Sequence, residues 1–150
     1  SHVEAQQLWA RLRSRGERPR THVAQGEPRF SVTAGKSDSW LPVLPGTEGL
    51  LALAAAREMI TGARFDEAFI RDHSRGFEAF RRAVEPFTPA RVSQATELPE
   101  KAIRILSAKF LDSRPSVAIG GRGAPWSQLA VHALNALLGN ISEGGVFLTV

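Results

Sequence analysis

Residues 117–138 read VAIGGRGAPWSQLAVHALNALL, and this stretch decides the fold class. It opens with three apolar residues, 117–119, which are typical of a short strand. The next four residues, 120–123, form a glycine-rich turn. Small and apolar residues then recur at helical spacing over 127–138. A strand, a glycine turn and a helix in direct succession predict an α/β fold.

Working outward from this stretch, we predict mostly helices. Residues 48–61 (EGLLALAAAREMIT) form the clearest one, and its first half is apolar almost all round, so we expect that half to be buried. Residues 27–49 contain much Gly, Pro and Ser and predict a long connection with a functional shape. Further helices are expected at residues 3–15, 66–72, 77–84 and 88–95 and from 99 onward, and a weak strand at 21–26.

The predicted strands are too few for a complete sheet. We therefore expect helices on both sides of a small, incomplete, mainly parallel sheet, and at least one neighbouring strand from residues outside the chain. The 150 residues contain neither an internal repeat nor a clear linker, so residues 1–150 are interpreted as a single fragment.

Composition argues against metal or thiol chemistry within these residues. There is no cysteine, and the four histidines are scattered, so neither a metal site nor a catalytic residue is predicted in this chain. The net charge is +4, and five arginines fall within residues 11–20. Such a run can bind anions, but a solvated helix end explains it equally, and no interleaved aromatic residues indicate nucleic-acid binding.

Three features could hold an anionic ligand. Gly120, Gly121, Arg122 and Gly123 resemble a phosphate-cradling turn, because glycine allows positive φ and close approach of backbone to a ligand. Established phosphate motifs such as GxGxxG do not match, so a glycine turn without a ligand is the alternative.

The other two features are acidic. In PGTEG (residues 45–49), Thr47 suits a helix N-cap and Glu48 suits the helix dipole, while Glu48 could instead accept hydrogen bonds from a ligand. Glu27 follows the weak strand, a common position for an acid that binds a ribose hydroxyl. An ion pair between Glu27 and Arg29 is the alternative.

Together these pieces resemble the large subunits of molybdopterin oxidoreductases of the dimethyl-sulfoxide-reductase superfamily. EPRFSVTAGKSDSWLPVLPGTEGLLALAAAREMI (27–60) resembles a segment in which acid-Pro-Arg ends a strand and Pro-Gly-Thr-acid opens a helix. The following residues to APW (126) are similar to the family's next segment. LNALLGNISEGG (134–145) resembles its Gly-Asn and Gly-Gly ending. The resemblance covers about residues 27–145.

The resemblance implies a Rossmann-like three-layer domain that binds a molybdopterin guanine dinucleotide. It places Glu27 and Arg29 at the first strand end. Gly46, Thr47 and Glu48 fall at the guanosine pocket, and Gly120, Gly121, Arg122 and Gly123 fall near the cofactor.

It further implies that the metal ligand, an iron–sulfur cluster and the electron-transfer chemistry belong to other parts of the parent subunit. Local pattern favours the polysulfide, thiosulfate and tetrathionate reductase branch. The implied partners are the rest of that subunit, an iron–sulfur electron-transfer subunit and a membrane anchor subunit, in a periplasmic or membrane-associated bacterial complex used in anaerobic respiration. Nucleic acid is not an expected partner, and the isolated fragment is expected to self-associate. The alternative is a non-catalytic anion-binding or protein-interaction domain, including a metal-free relative in a respiratory complex.

Overall fold

A computed structural model describes residues 21–121 and 124–141. The chain divides between Pro45 and Gly46 into two compact units, which are described separately. The predicted helix at 3–15, the arginine run at 11–20, and Arg122 and Gly123 of the glycine turn lie outside the described residues.

The described residues contain seven helices and two strands. The first unit holds β1 (Ala24–Gly26), α1 (Val32–Lys36) and β2 (Ser39–Leu41). The second unit holds α2 (Gly49–Thr61), α3 (Glu67–His73), α4 (Phe77–Val84), α5 (Pro89–Thr96), α6 (Glu100–Asp112) and α7 (Pro125–Leu137). The predicted helices of the second unit are confirmed to within a few residues. No helix among the described residues is long and apolar enough to cross a membrane.

The first unit is a strand–helix–strand motif with a parallel pair of strands. Ala24, Gln25 and Gly26 lie opposite Ser39, Trp40 and Leu41, respectively. The hydroxyl of Ser31 caps α1, because its Oγ accepts the amide N–H groups of residues 33 and 34 at 3.1 and 3.2 Å. The prediction that 27–49 is only a connection was wrong, since α1 and β2 lie within it. These elements are five and three residues long, too short to show a hydrophobic period.

The second unit is built around α2 and α7. Small residues of α2 (Ala52, Ala55 and Ala56) pack with Ala130 and Leu134 of α7 in one buried cluster. Alanine side chains let two helix backbones approach closely, and Met59, which is fully buried, fills the space at the far end of the seam. The predicted burial of the first half of α2 is therefore confirmed.

The two central helices run in the same direction. Gly49 at the start of α2 packs against Ser127 at the start of α7. At the other end, the amide of Asp66, five residues beyond α2, donates to the carbonyl of Leu137, the last residue of α7 (2.8 Å). Neighbouring parallel helices are typical of α/β folds, where each helix returns the chain to the start of a parallel strand.

Residues 117–119 pair with no strand among the described residues, so the prediction of a strand there was wrong. The reason is that a strand requires a neighbour, whereas a run of apolar residues shows only the tendency to form one. The fold class itself is confirmed: the architecture is a small α/β fragment, mostly helical, with a two-stranded parallel sheet.

Candidate functional site

The starts of α2 and α7 meet at one end of the second unit. A Cβ atom added to Gly49 would lie 2.6 Å from the Oγ of Ser127 and 2.8 Å from its Cα. The same added Cβ would lie 2.7 Å from Cζ3 of Trp126. Only glycine fits at position 49 without movement of the α7 backbone, so the residue fixes how closely the two helix ends approach.

This arrangement concentrates positive potential. Each helix start carries a partial positive charge. The first-turn amides are already bonded, since those of Leu50 and Leu51 donate to the carbonyls of Thr47 and Glu48, and those of Ser127 and Gln128 donate to the carbonyl of Ala124. What this end offers an anion is therefore the positive ends of two helix dipoles. Residues 46–48 of the PGTEG motif lead into this end.

The N-cap prediction for Thr47 needs a correction. The residue directly before α2 is Glu48, which already has helical dihedral angles (φ −57°, ψ −39°) and makes no side-chain capping bond. The carbonyl of Thr47 accepts the amide of Leu50 (3.0 Å), so the first turn begins at Thr47 through its backbone. The half-buried side chain of Glu48 is thus not consumed by capping and remains a candidate acceptor for a ligand.

Gly46 requires glycine for a different reason from Gly49. Its φ is +83°, in the left-handed region, and a Cβ added there would meet no atom within 4 Å. The position therefore requires glycine for its backbone conformation and not for lack of space.

The glycine turn reaches the same end through α7. The Nε2 of Gln128, in the first turn of α7, donates to the carbonyl oxygen of Gly121. A Cβ at Gly120 would overlap the side-chain amide of Gln128, while a Cβ at Gly121 would meet nothing within 4 Å. Neither glycine has positive φ, so the expectation that this turn exploits left-handed backbone is wrong for these two residues. Gly120 lies against the side-chain amide of Gln128, and among the described residues Gly121 borders open space.

Side-chain amides on α7 and just after it position this segment, and sequence reasoning missed them. Asn135 is buried, and its amide donates to the carbonyl of Ala118 (2.8 Å) and accepts its N–H (2.9 Å). The side chain of Asn140 donates to the carbonyl of Ser116. We name Gln128, Asn135 and Asn140 the amide ladder. The available signal was the polar Asn135 within the otherwise apolar face of α7.

Glu27 and Arg29 belong to the first unit. The carboxylate of Glu27 accepts the amide of Ser31 (3.1 Å) and the Nε2 of Gln25 (3.4 Å), and its backbone carbonyl accepts the indole N–H of Trp40 (3.1 Å). No ion pair joins Glu27 to Arg29 in the described part of the chain. Because a carboxylate has about four acceptor positions, Glu27 retains capacity for a ligand hydroxyl.

An apolar groove of about 430 Å³ adjoins the convergent end. Trp126 forms one side of it, and its other walls come from α2, α4 and α7. Leu129 in its lining is 68% exposed, and Trp126 is 41% exposed. The groove offers hydrophobic contact beside the positive helix ends. Among the described residues, no group of three or more His, Cys, Asp or Glu side chains could hold a metal ion.

Comparison with known proteins now assigns the class. The matched relatives are molybdopterin-containing subunits of oxidoreductases, and this chain belongs to their family, the dimethyl-sulfoxide-reductase superfamily, as a segment of such a subunit. The thiosulfate reductase molybdopterin-containing subunit of Salmonella typhimurium is 30% identical over 129 residues, covering 81% of this chain and 17% of its own length. The menaquinone reductase, molybdopterin-binding-like subunit of Nitratidesulfovibrio vulgaris is 32% identical over 136 residues (87% of this chain, 19% of the relative).

A third relative extends the range of named activities. The arsenate respiratory reductase molybdopterin-containing subunit of Chrysiogenes arsenatis is 29% identical over 160 residues, covering 87% of this chain and 19% of its own. The chain thus spans less than a fifth of the length of these relatives. No family model matches the sequence.

A solved structure supports the fold independently. Acetylene hydratase from Pelobacter acetylenicus superposes with a TM-score of 0.73 over 83% of this chain and 18% of its own, at 22% identity. This similarity concerns the fold alone.

Proposed function

We propose that this chain is the part of a molybdopterin-dependent oxidoreductase catalytic subunit that helps to hold molybdopterin guanine dinucleotide. One observation carries the proposal: the PGTEG motif and the Gly120–Gly121 segment both reach the end of the second unit where α2 and α7 begin. The first contact is made by Gly49 against Ser127, and the second by Gln128 against Gly121.

The residues present fit such a group. A dinucleotide carries a pyrophosphate, and the positive ends of two adjacent helix dipoles favour it. Among the described residues, no atom lies within 4 Å of a Cβ added to Gly121, which leaves room for a ligand to approach the backbone. Glu48 supplies a carboxylate, the natural acceptor for the amino and ring N–H donors of guanine.

Each candidate residue then has a stated task. Glu48 binds and orients the guanine. Gly46 and Thr47 set the path of the chain into α2, and Gly120 and Gly121 line the approach to the cofactor. Arg122 and Gly123, which lie outside the described residues, are assigned to the same binding turn by the resemblance alone. Glu27, held at the end of β1, accepts a hydrogen bond from a ribose hydroxyl. Arg29, two residues further on, supplies a positively charged donor for the same kind of ligand.

The chemistry itself belongs to the complete subunit. When bound, the metal held by the pterin supplies the redox chemistry, and this chain's residues bind and orient the dinucleotide. We further propose that the parent carries an iron–sulfur cluster and works with an iron–sulfur electron-transfer subunit and a membrane anchor subunit. A periplasmic or membrane-associated bacterial complex suits that arrangement, and the named activities of the relatives make a respiratory reductase our choice of reaction.

The test is the pterin content of the purified full-length subunit, measured as fluorescence after oxidative release. Glu48→Gln keeps the size of the side chain but replaces one acceptor with a donor, so pterin occupancy should fall, since a buried hydrogen bond left unmade costs about 1–3 kcal/mol. Gly121→Val should lower occupancy further, because the side chain would fill the space where the cofactor approaches.

Matched controls separate binding from folding. Glu67→Gln changes an exposed glutamate in the first turn of α3 and should leave pterin content unchanged. Thr47→Ala should also leave occupancy of the folded fraction near the wild-type level. Full pterin content in both Glu48→Gln and Gly121→Val, with normal folding, would remove these residues from the cofactor site.

A further inference from the structure

Two neighbouring residues of α7 contact both halves of the candidate cofactor site. Ser127 packs against Gly49, the first residue of α2 and the last of the PGTEG motif. The next residue, Gln128, donates its side-chain Nε2 to the carbonyl oxygen of Gly121. Because both residues lie in the first turn of one helix, a single rigid element connects the acidic motif to the glycine turn.

The side chain of Gln128 is what holds the start of the glycine turn. Gly121 is exposed, and no atom of the described residues lies within 4 Å of a Cβ added to it, so packing does not fix its position. The chain is fixed again three residues earlier, at Ala118, whose N–H and C=O bond the amide of Asn135. Among the described residues, no hydrogen bond besides that of Gln128 reaches the backbone of residues 119–121.

The same bond determines where the carbonyl of Gly121 points. A carbonyl oxygen is an acceptor with a partial negative charge, and it would repel the phosphate oxygens of a dinucleotide that approached it. Bonded to Gln128, this oxygen is directed to α7 and is not available to face a ligand. Gln128 is half-buried, which favours one orientation of its side chain.

We infer that Gln128 is a positioning residue for the dinucleotide. It keeps the glycine turn at a fixed place relative to the PGTEG motif and holds the Gly121 carbonyl away from the phosphates, so it acts through Gly121. The inference rests on the proposed function. It adds a residue that belongs to neither of the two motifs and that carries no charge.

The experiment measures how fast pterin leaves the purified full-length subunit, as fluorescence after oxidative release from the protein that remains folded. Gln128→Met keeps the length of the side chain and removes the donor. One hydrogen bond typically shifts an equilibrium about two- to tenfold, so release should be faster by about that factor. Gln94→Met makes the same change at an exposed position of α5 and should release pterin at the wild-type rate.

A second control separates positioning from stability. Ile103→Val removes one carbon from a fully buried side chain of α6, which lowers stability without altering the site. It should lower the Tm of the pterin-free subunit and leave the release rate unchanged, whereas Gln128→Met should do the reverse. Faster release in both variants, in proportion to their loss of Tm, would overturn the inference, because Gln128 would then support the fold alone.

The result also distinguishes this inference from the proposed function. Wild-type release in Gln128→Met would overturn the positioning role. If Glu48→Gln and Gly121→Val nevertheless lower pterin occupancy, the proposed function stands without Gln128. If these two variants also keep full occupancy, both the positioning role and the cofactor assignment fail.

Discussion

The α2–α7 seam and the segment at residues 116–120 differ in how many of their packing and hydrogen-bonding partners lie within the described residues. The seam buries small and apolar side chains from both helices, and every interior backbone bond of a helix is made within the helix itself. Residues 116–118 instead depend on side-chain amides, since Asn135 bonds both backbone groups of Ala118 and Asn140 donates to the carbonyl of Ser116. The comparison shows that a segment of a larger subunit can hold a complete helical core and an incomplete sheet at once.

If the α2–α7 seam holds itself together, damage to its packing should lower the free energy of local opening more than any other change predicted here. Met59→Ala removes a fully buried side chain and should lower the local free energy of opening by about 2–5 kcal/mol. Hydrogen exchange of α2 and α7 amides in the full-length subunit measures it. Ile105→Ala, at an exposed position of α6, should change the same amides little. A loss of less than about 1 kcal/mol in Met59→Ala would contradict the central place of this seam.

A change in the amide ladder should have a smaller and more local effect. Asn135→Leu keeps the branching of the side chain, although leucine is larger, and leaves the N–H and C=O of Ala118 without their partner, which should cost about 1–3 kcal/mol. Protection of the Ala118 amide should fall while α2 remains protected. The control is Gln94→Leu at an exposed position of α5. Equal loss of protection across α2 and the segment would mean that Asn135 supports the core and not the strand.

Gly46→Ala should have a smaller effect still. The position has φ of +83° and free space around it, so the cost is backbone strain of about 1–2 kcal/mol. Gly121→Ala is the matched comparison, since its site is equally open but its φ is not positive, and it should leave stability unchanged. Thermal unfolding of the two full-length variants tests this, and equal shifts in Tm would refute the distinction.

The smallest effect is expected on the surface of α6. Arg104 and Glu100 form an i,i+4 ion pair with 2.6 Å between Nη2 and Oε1, and the Arg104 side chain is 55% exposed. Such pairs contribute about 0.3–0.5 kcal/mol. Glu100→Gln should therefore lower the opening free energy of α6 by no more than about 0.5 kcal/mol by hydrogen exchange. Arg104 also lies 3.9 Å from Glu58, and a loss above 1 kcal/mol would show that this wider network, and not the single pair, sets the effect.

The same contrast explains what could be predicted from sequence. The helix of residues 88–95 was predicted because Thr88 and Pro89 carry their own signal, and the structure confirms the cap: Thr88 Oγ1 accepts the amide of Arg91 at 3.2 Å. The strand β2 was missed because it consists of three residues whose partner, β1, lies fifteen positions earlier. Long-range pairing leaves no local period in a sequence.

The candidate site was predictable in its parts and not in its assembly. The PGTEG motif and the glycine turn were both identified, but their meeting point depends on Gly49 packing against Ser127, 78 positions away. The role of Gly120 was misjudged, because its neighbour is the amide of Gln128 and not a strained backbone. A polar side chain such as Asn135 in an apolar helix face was the available clue to the amide ladder.

The amide ladder also bears on how the chain before α7 is ordered. Fixing the backbone of one residue costs roughly 1–2 kcal/mol of conformational entropy. Asn135 and Asn140 hold the backbone of Ala118 and Ser116 through side-chain hydrogen bonds, and these bonds offset part of that cost. Loss of Asn135 would therefore leave the residues before the glycine turn less well ordered.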